Sequence, residues 1–528
     1  MQMDGSAASL LARFEQLKTI RRPWEQHWEE IRHYVLPRYQ DFAQSQAPSA
    51  PGKKKGAGIF DSTAPLALER FAAVLDSLLT PRTQLWHGLR AAHAPLNEQP
   101  EVKAWFDAVV NQLFQLRYQA SANFASQQQE VYLSLGAFGT AILSVEEGSQ
   151  GHICYRHIPL TQAYLAENHE GNIDTLFREF TLTAHQACAQ WEQKALPEAI
   201  QQAARDHPSR VFRFIHAVLP QESGGYASYY LAVESSAMIA QGRYRVFPYV
   251  VSRYMTTPGE LYGRSPAMAV LADIKLLNEM ERSQLQAVHQ QVMPPLLVPD
   301  DGMLRPITLS PGAINYGGVS SNGTPLIQAL NTQNRIEVNE AKMEQKRRVI
   351  QEAFLVTLFQ ILVESPTMTA TEVLQRAQEK ALLIAPIIGR QQTEALGPLV
   401  ERELDILAEQ QVLPPIPDCL LLNHATFDIS YDSPINRLQK AYQGQGMLRM
   451  LEGLAPFIAI DPGVLDMFDV HAIATHMADM YGVPQAMLRS KAAREALKIQ
   501  RAQEEAVNEV IDKAPQVIDA IATLSQIT

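Results

Sequence analysis

The chain predicts an α+β fold, mostly helical, on three observations. Two long helical patterns, Pro266 to Met293 and Thr332 to Ile361, bracket a Pro/Gly-rich insert of short apolar pieces. Ahead of them, from Gly139 to Tyr254, several stretches alternate apolar and polar residues with the period of strands. Helical patterns precede that block and return at the C-terminal end. The helix–insert–helix unit describes a shaft with a small head rather than a pocket.

Residues 6–36 read as a helix interrupted near Pro23, with Leu10, Phe14, Leu17, Trp24, Trp28, Ile31 and Val35 on its apolar side. Trp24 and Trp28 stand four apart and are neighbours; such a pair reads as a core or interface anchor before a ligand box. Residues 44–58 have the composition of a flexible linker. Its Lys53-Lys54-Lys55 reads as a solvated loop, the sharper alternative being contact with nucleic acid or an acidic partner. Residues 64–80 and 101–135 read as helices. Strands follow at Gly139–Glu147, Gly151–Pro159 and Ala163–Leu182, the last turning at Glu170-Gly171-Asn172. A helix over 184–205 precedes further strands at 211–220 and 229–254.

In the first long helix Val270, Ile274, Leu277, Leu285, Val288 and Val292 fall along one stripe, while Lys275, Glu279, Arg282, Gln286 and Gln290 run down another. Pro294-Pro295 removes two backbone donors and stops it. At ~1.5 Å per residue each shaft is about 40 Å long. The insert, with the Asn322-Gly323 turn signal, reads as a small β-containing knob. On the second helix Arg335, Glu337, Glu340, Lys342, Glu344, Lys346, Arg347 and Arg348 alternate in sign, a solvated face or a surface for a neighbouring subunit. Ser365-Pro366-Thr367-Met368 then breaks the pattern, and Thr369 with Glu372 makes a capping box for a helix from Ala370 to about Leu383. Pro386 and Gly389 interrupt it before another helix, Gln391–Gln411. Pro414-Pro415-Ile416-Pro417 is a stiff connector, ATFDISYDS a strand, and the end from about Gly446 is helical.

With 528 residues, 46% hydrophobic and 19% charged, the composition is that of an ordinary folded protein with room for several cores. No apolar run reaches the ~18 residues that span a bilayer, and the start lacks a secretory pattern. Cys154, Cys188 and Cys419 show no CxxC spacing, in keeping with a reducing compartment. The net charge of −11 argues against a tight DNA-gripping repressor or nuclease, though a total does not locate the charges. GKKKGAG lacks the P-loop spacing. His471 and His476 lie five apart and do not share a helix face, so with Asp466, Asp469 and Asp479 they read as polar surface before a metal site. Asp300-Asp301 beside Gly302 reads as a turn before a metal pair.

YGRSPAMAVLADIKLLNEM (Tyr262 to Met280), followed by PPLLVPDDG (Pro294 to Gly302), resembles the head-to-tail connector, or portal, family of short-tailed, T7-like bacteriophages. Further strings carry the same resemblance: RRPWEQHWEEIRHYVLP (Arg21 to Pro37), FDSTAPLALERFAAVLDSLLTP (Phe60 to Pro81) and TMTATEVLQR (Thr367 to Arg376). It extends to about residue 440; the remainder matches only in being helical. The resemblance implies a portal fold: a wing whose N-terminal helical segment is 1–43, a linker 44–58 and an α+β wing 59–260. A stem helix 261–293, a clip 294–331 and a second stem helix 332–361 follow. A tunnel loop 362–369, a return to the wing 370–445 and a helical crown 446–528 complete it.

The same resemblance implies a homo-oligomeric ring, a dodecamer, in the virion at the capsid portal vertex, assembled in the host cytoplasm. Implied partners are double-stranded DNA held non-specifically, the terminase large subunit, major capsid and scaffolding proteins, a tail adaptor and internal core proteins, with no membrane. It implies no catalytic residue, metal or cofactor. Stem positions facing a neighbour or the channel would be Lys275, Glu279, Arg282, Glu340, Glu344 and Arg347. The tunnel loop would be Ser365, Pro366, Thr367, Met368 and Thr369, and clip positions Pro294, Pro295, Asp300, Asp301 and Asn322. Another virion ring, such as a tail adaptor, is the alternative, though such chains look shorter and lack the helix–knob–helix unit. An enzyme has only scattered carboxylates and histidines in its favour.

Overall fold

The computed structural model describes residues 6–42, 55–148, 151–297, 308, 314, 319–329, 336–356, 384–422 and 426–431, with scattered positions from 450 to 500. The chain divides into two units, one of Met1–Arg82 with Leu116–Gln410, the other of Thr83–Gln115 with Gln411–Thr528. Helices in chain order are α1 (Ala7–Val35), α2 (Thr63–Leu79), α3 (Pro100–Arg117), α4 (Phe124–Phe138), α5 (Ala184–Gln190), α6 (Glu198–Asp206), α7 (Pro266–Ala269), α8 (Leu271–Val292), α9 (Ile336–Ala353), α10 (Gly397–Glu409) and α11 (Asp418–Leu422). The strands are β1 (His87–Ala91), β2 (Thr140–Glu147), β3 (Ile153–His157), β4 (Ala163–Glu167), β5 (Ile173–Thr183), β6 (Val211–Pro220), β7 (Tyr226–Ala232), β8 (Ala237–Tyr244), β9 (Tyr249–Arg253), β10 (Leu296–Leu297), β11 (Gln328–Ala329) and β12 (Phe427–Tyr431). The α+β class is as expected.

In the first unit β4 to β8 form an antiparallel sheet in sequence order, each strand beside its predecessor. Side chains alternate between its faces. Odd positions such as Phe177, Ile215 and Ala217 meet Leu10, Phe14 and Leu17 of α1. Even ones such as Phe212, Phe214 and Ala232 meet Ala187, Ile200 and Ala203 of the α5–α6 pair. Each large apolar side chain so enclosed stabilises the fold by roughly 1.5–3 kcal/mol. A second sheet, β3-β2-β9, places β2 centrally, and its first six residues are all buried.

In the second unit β1 pairs antiparallel with β12, so the strand expected at ATFDISYDS is present. Ala91, Leu96, Val102, Phe106 and Leu420 form its core, and Trp105 Nε1 donates to the Pro414 carbonyl at 3.1 Å.

Several boundaries differ from the sequence pattern, each for a local reason. α1 runs unbroken through Pro23. Burial of Arg21 on one side and Trp28 on the other outweighs the lost backbone bond. The helix expected over 101–135 is two, because Asn123 adopts a left-handed φ of 58° at the start of α4. That expected over 184–205 is also two, separated by a short 3-10 turn ending before Pro197. Beyond Pro386 and Gly389 the chain stays helical from 384, passing through a π turn (Gln392–Leu396) into α10.

Candidate functional site: the helical hairpin and its root

The helices bracketing the insert form an antiparallel hairpin. Asn339 meets Gln284 at 3.2 Å, while Lys346, further along α9, meets Asp273, further back along α8, at 2.7 Å. The first helix is not continuous from Pro266: Val270, at φ −114° and ψ 13°, separates α7 from α8. The second stops at Ala353, because Leu355 takes a left-handed φ of 60°. Residues 332–335 and 357–361 lie outside the described set. The 22-residue α8 and 18-residue α9 are about 33 and 27 Å long, shorter than the expected shafts.

The string YGRSP is the hairpin's root, and each residue has a task there. Tyr262 is buried against Trp28, ring centroids 5.0 Å apart, with Trp24 at 5.8 Å. The tryptophan pair is thus a core anchor. Gly263 donates its N–H to Thr140 Oγ1 at 2.8 Å, and a Cβ here would strike the Gly139 carbonyl, so glycine is required by backbone approach. Arg264 lies over the Trp24 ring at 4.7 Å and pairs with Glu260. Ser265 Oγ accepts from the Met268 N–H at 3.0 Å, capping α7, and donates to the Ala137 carbonyl at 2.7 Å.

A second junction joins the hairpin to the start of α2. Asn278, 4% exposed, accepts the Phe60 N–H at 2.7 Å and donates to the Gly58 carbonyl at 3.0 Å. Asp61 accepts the Thr63 N–H at 2.7 Å through one oxygen and Arg347 Nε at 3.1 Å through the other. Arg347 reaches Glu281 as well, at 3.2 Å. Sequence reasoning gave Asp61 and Asn278 no role, although both lie inside the strings that carried the resemblance; no local pattern around either singled it out.

The expected site residues separate accordingly. Arg347 and Lys346 are tied within the chain, to Asp61 and Glu281 and to Asp273. Lys275 pairs with Glu30 at 3.2 Å, and Glu279 with Arg282 at 3.7 Å, all on exposed surface. Glu344 lies 3.7 Å from Arg348 and 3.8 Å from Arg347, and Glu340 is exposed. Lys55, read as part of a solvated loop, donates to the Tyr39 carbonyl at 2.7 Å. At the knob, Pro294 and Pro295 follow α8, and β10 pairs with β11. The Asn322-Gly323 turn is present: Ser320 N–H donates to the Thr324 carbonyl at 2.9 Å, and Gly323 supplies φ +80°. Asp300, Asp301 and the loop Ser365, Pro366, Thr367, Met368 and Thr369 lie outside the described residues, as do His471 and His476. Asp469 Oδ1 accepts the Ala472 N–H at 3.0 Å.

The apolar stripe of α8 changes character along its length. Val270, Ile274 and Leu277 are buried at the root, whereas Leu285, Val288, Val292, Met293, Leu296 and Leu297 are 38–83% exposed. Among the described residues this distal part of the hairpin keeps an exposed apolar face.

The family model for bacteriophage head to tail connecting proteins matches residues 7–488. The chain belongs to that family. The probable portal protein of Bordetella phage BPP-1 is 28% identical over 494 residues, covering 91% of this chain and 88% of the relative. The portal protein of Salmonella phage epsilon15 is 23% identical over 536 residues, covering 98% and 95%. Among solved structures, a chain of the virion of a native gene transfer agent particle aligns at TM-score 0.38 and 11% identity, covering 78% of this chain and 89% of that one. A chain of the native particle's neck, computed with C12 symmetry, aligns at 0.35 and 12%, covering 72% and 86%.

Proposed function

We propose that this portal-family chain is the subunit of a ring at the head-to-tail vertex of a virion, a conduit through which double-stranded DNA enters during packaging and leaves during ejection. The observation that carries the reading is the hairpin: anchored at its root, it presents an uncovered apolar stripe toward its knob. Duplex DNA is about 20 Å across, and one pair of ~10 Å-wide helices does not surround it. Copies packed side by side through identical head-to-tail contacts, closing by rotation, do. Burial of the Leu285–Val292 stripe against the neighbouring hairpin would drive closure. Glu340, Glu344, Lys275, Glu279 and Arg282 would face the neighbour or the channel. Twelve copies is the number the resemblance implies.

In this reading the hairpin is the stem and 294–331 the clip, meeting first the terminase large subunit and later the tail adaptor. Successive partners favour the modest, partly polar surface that Asn322 and its neighbours offer. The segment Ser365 to Thr369 would be the channel constriction. Capsid, scaffolding and internal core proteins would contact the remaining surface, with assembly in the host cytoplasm. The role is structural, without catalysis. Electron microscopy of the purified protein tests it: rings with a central hole are expected, and globular monomers at all concentrations would end the reading. Finer assignments have their own tests. A knob-less ring that still binds the motor would remove the clip assignment, and unchanged DNA retention after deleting Pro366 to Met368 would remove the constriction.

A further inference from the structure

We propose that a cleft in the first unit is a binding site for a phosphate-type oxyanion, gripped by Arg178 and Arg156. The cleft, of about 260 Å³, is lined by Glu146, Arg156, Gln162, Arg178, Gln190 and His216 among others. Strand register assembles its floor: Arg178 on β5 lies opposite His216 on β6, which lies opposite Tyr230 on β7. Residues in register across a sheet share a face, so the three form one row. Arg156 comes from β3, in the other sheet.

The arginines are what point to a ligand. The most buried arginines of this unit each come with a carboxylate: Arg21 with Glu25, Arg117 with Glu403, Arg253 with Glu394, Arg402 with Asp405. Arg178 is half-buried and has no ion pair among the described residues; its Nε donates to Gln162 Oε1 at a long 3.4 Å, its side chain also hydrogen-bonds the Tyr249 hydroxyl, and its guanidinium lies over the Phe180 ring at 4.9 Å. Arg156, on the exposed side, likewise has no ion pair among the described residues. The partly buried Arg178 guanidinium gives up some hydration without gaining a counter-charge, and an anion in the cleft would supply one.

Donors dominate the cleft. Two guanidinium forks offer bidentate geometry, and Gln162, its oxygen engaged by Arg178, keeps its amide N–H groups for a ligand. A tetrahedral oxyanion can accept from several directions at once, which suits donors converging from two sheets. Glu146 also lines the cleft, but its Oε1 is engaged by Ser144 Oγ at 2.8 Å, and the three charged side chains still sum to +1. His216 forms wall rather than ligand, both ring nitrogens being taken by Tyr249 and Ser228.

The anion's source is either free phosphate or a nucleic-acid backbone, and the test separates them. Thermal unfolding of the purified full chain would be followed at pH 7.5 as inorganic phosphate replaces chloride at matched ionic strength. A second arm adds a short duplex oligonucleotide at the same ionic strength. Phosphate should raise the midpoint saturably, with the half-saturating concentration at least tenfold higher in Arg178→Gln and higher in Arg156→Gln. Arg178→Lys, keeping charge without the fork, should fall between. Oligonucleotide that competes with phosphate in the wild type, and not in Arg156→Gln, assigns the site to backbone phosphate; absence of competition assigns it to the free anion. A midpoint indifferent to phosphate, or a response equal in both glutamine variants and the wild type, overturns the proposal. Should Arg178→Gln fail to fold, the exposed Arg156→Gln carries the test alone.

Discussion

Lowering the pH from 7 to 5 should cost the first unit about 2 kcal/mol through one side chain, His216. The imidazole is 1% exposed, stacked on Tyr230 at 4.1 Å and nearly parallel to it. Nδ1 lies 2.6 Å from the Tyr249 hydroxyl and Nε2 2.9 Å from Ser228 Oγ. Burial, aided by the positive charge of Arg178, pushes its pKa down from 6.5 to about 3. Between those values the unfolded chain binds a proton that the folded chain refuses, so stability falls as pH falls, beginning near 6.5. At pH 5 the unfolded imidazole is about 1.5 units below its pKa, and at ~1.36 kcal/mol per unit the loss is about 2 kcal/mol. The figure holds wherever the folded pKa lies below about 4. Urea unfolding at pH 7, 6 and 5 measures it, followed by far-UV circular dichroism and by the summed tryptophan emission, to which Trp191, 5.1 Å from Phe214 and 5.5 Å from Tyr230, contributes. His216→Gln should be less stable at pH 7 yet lose about 2 kcal/mol less on going to pH 5. Groups that titrate elsewhere cancel in that difference. Equal losses in the variant and the wild type would refute the reasoning.

Three further outcomes are expected. Arg117→Met strands Glu403, which is fully buried and also accepts the Tyr155 hydroxyl at 2.6 Å, so it should cost about 3–5 kcal/mol in chemical unfolding, with much recovered in Arg117→Met/Glu403→Leu. Gly263→Ala drives a methyl into the Gly139 carbonyl and should lower the unfolding free energy by about 1–3 kcal/mol, whereas Gly171→Ala, whose Cβ would meet open space, carries only the strain of its positive φ. Val288→Asp with Val292→Asp should leave the circular dichroism and unfolding of the isolated subunit unchanged while abolishing rings in native mass spectrometry; rings at wild-type yield would place the lateral contact away from this stripe.

The sheets were legible in the sequence because polar and apolar side chains still alternate along much of each strand, although β5 carries a helix on both faces, Phe177 toward α1 and Phe180 toward α5 and α6. The insert's turn was legible because only a residue tolerant of positive φ serves at Gly323. Helix ends were less so. Asn123 begins α4 and Leu355 ends the run of α9 in left-handed backbone that neither residue type demands, and tertiary packing selects it. Pro23 misled in the opposite direction, since the anchoring of α1 on both sides keeps the helix intact. In the hairpin the stripe was visible, but its division into a buried root and an exposed distal half depends on what α2 and α9 happen to cover. The charge run on α9 could not reveal that Lys346 and Arg347 face inward, because periodicity gives a face and not its neighbour.

That inward pairing bears on how a hairpin could serve in a ring. Arg347 sits where three segments meet: Asp61 ahead of α2, Glu281 on α8, and α9 itself. Asn278 adds a further tie, holding the backbone at Gly58 and Phe60 to α8. Half-buried and sharing partners, these groups form a network, whose members hold one another's geometry better than isolated surface pairs do. The root is thereby fixed in direction without its apolar stripe being used up. Beyond Glu281 no comparable junction is present among the described residues, and the exposed stripe begins at Leu285. A rigid root with an uncovered tip orients each hairpin before its neighbour arrives, so less freedom is lost when the contact forms. The order of elements along α8, polar junction first and exposed stripe second, is thus what a subunit needs if lateral contact is to follow folding rather than replace it.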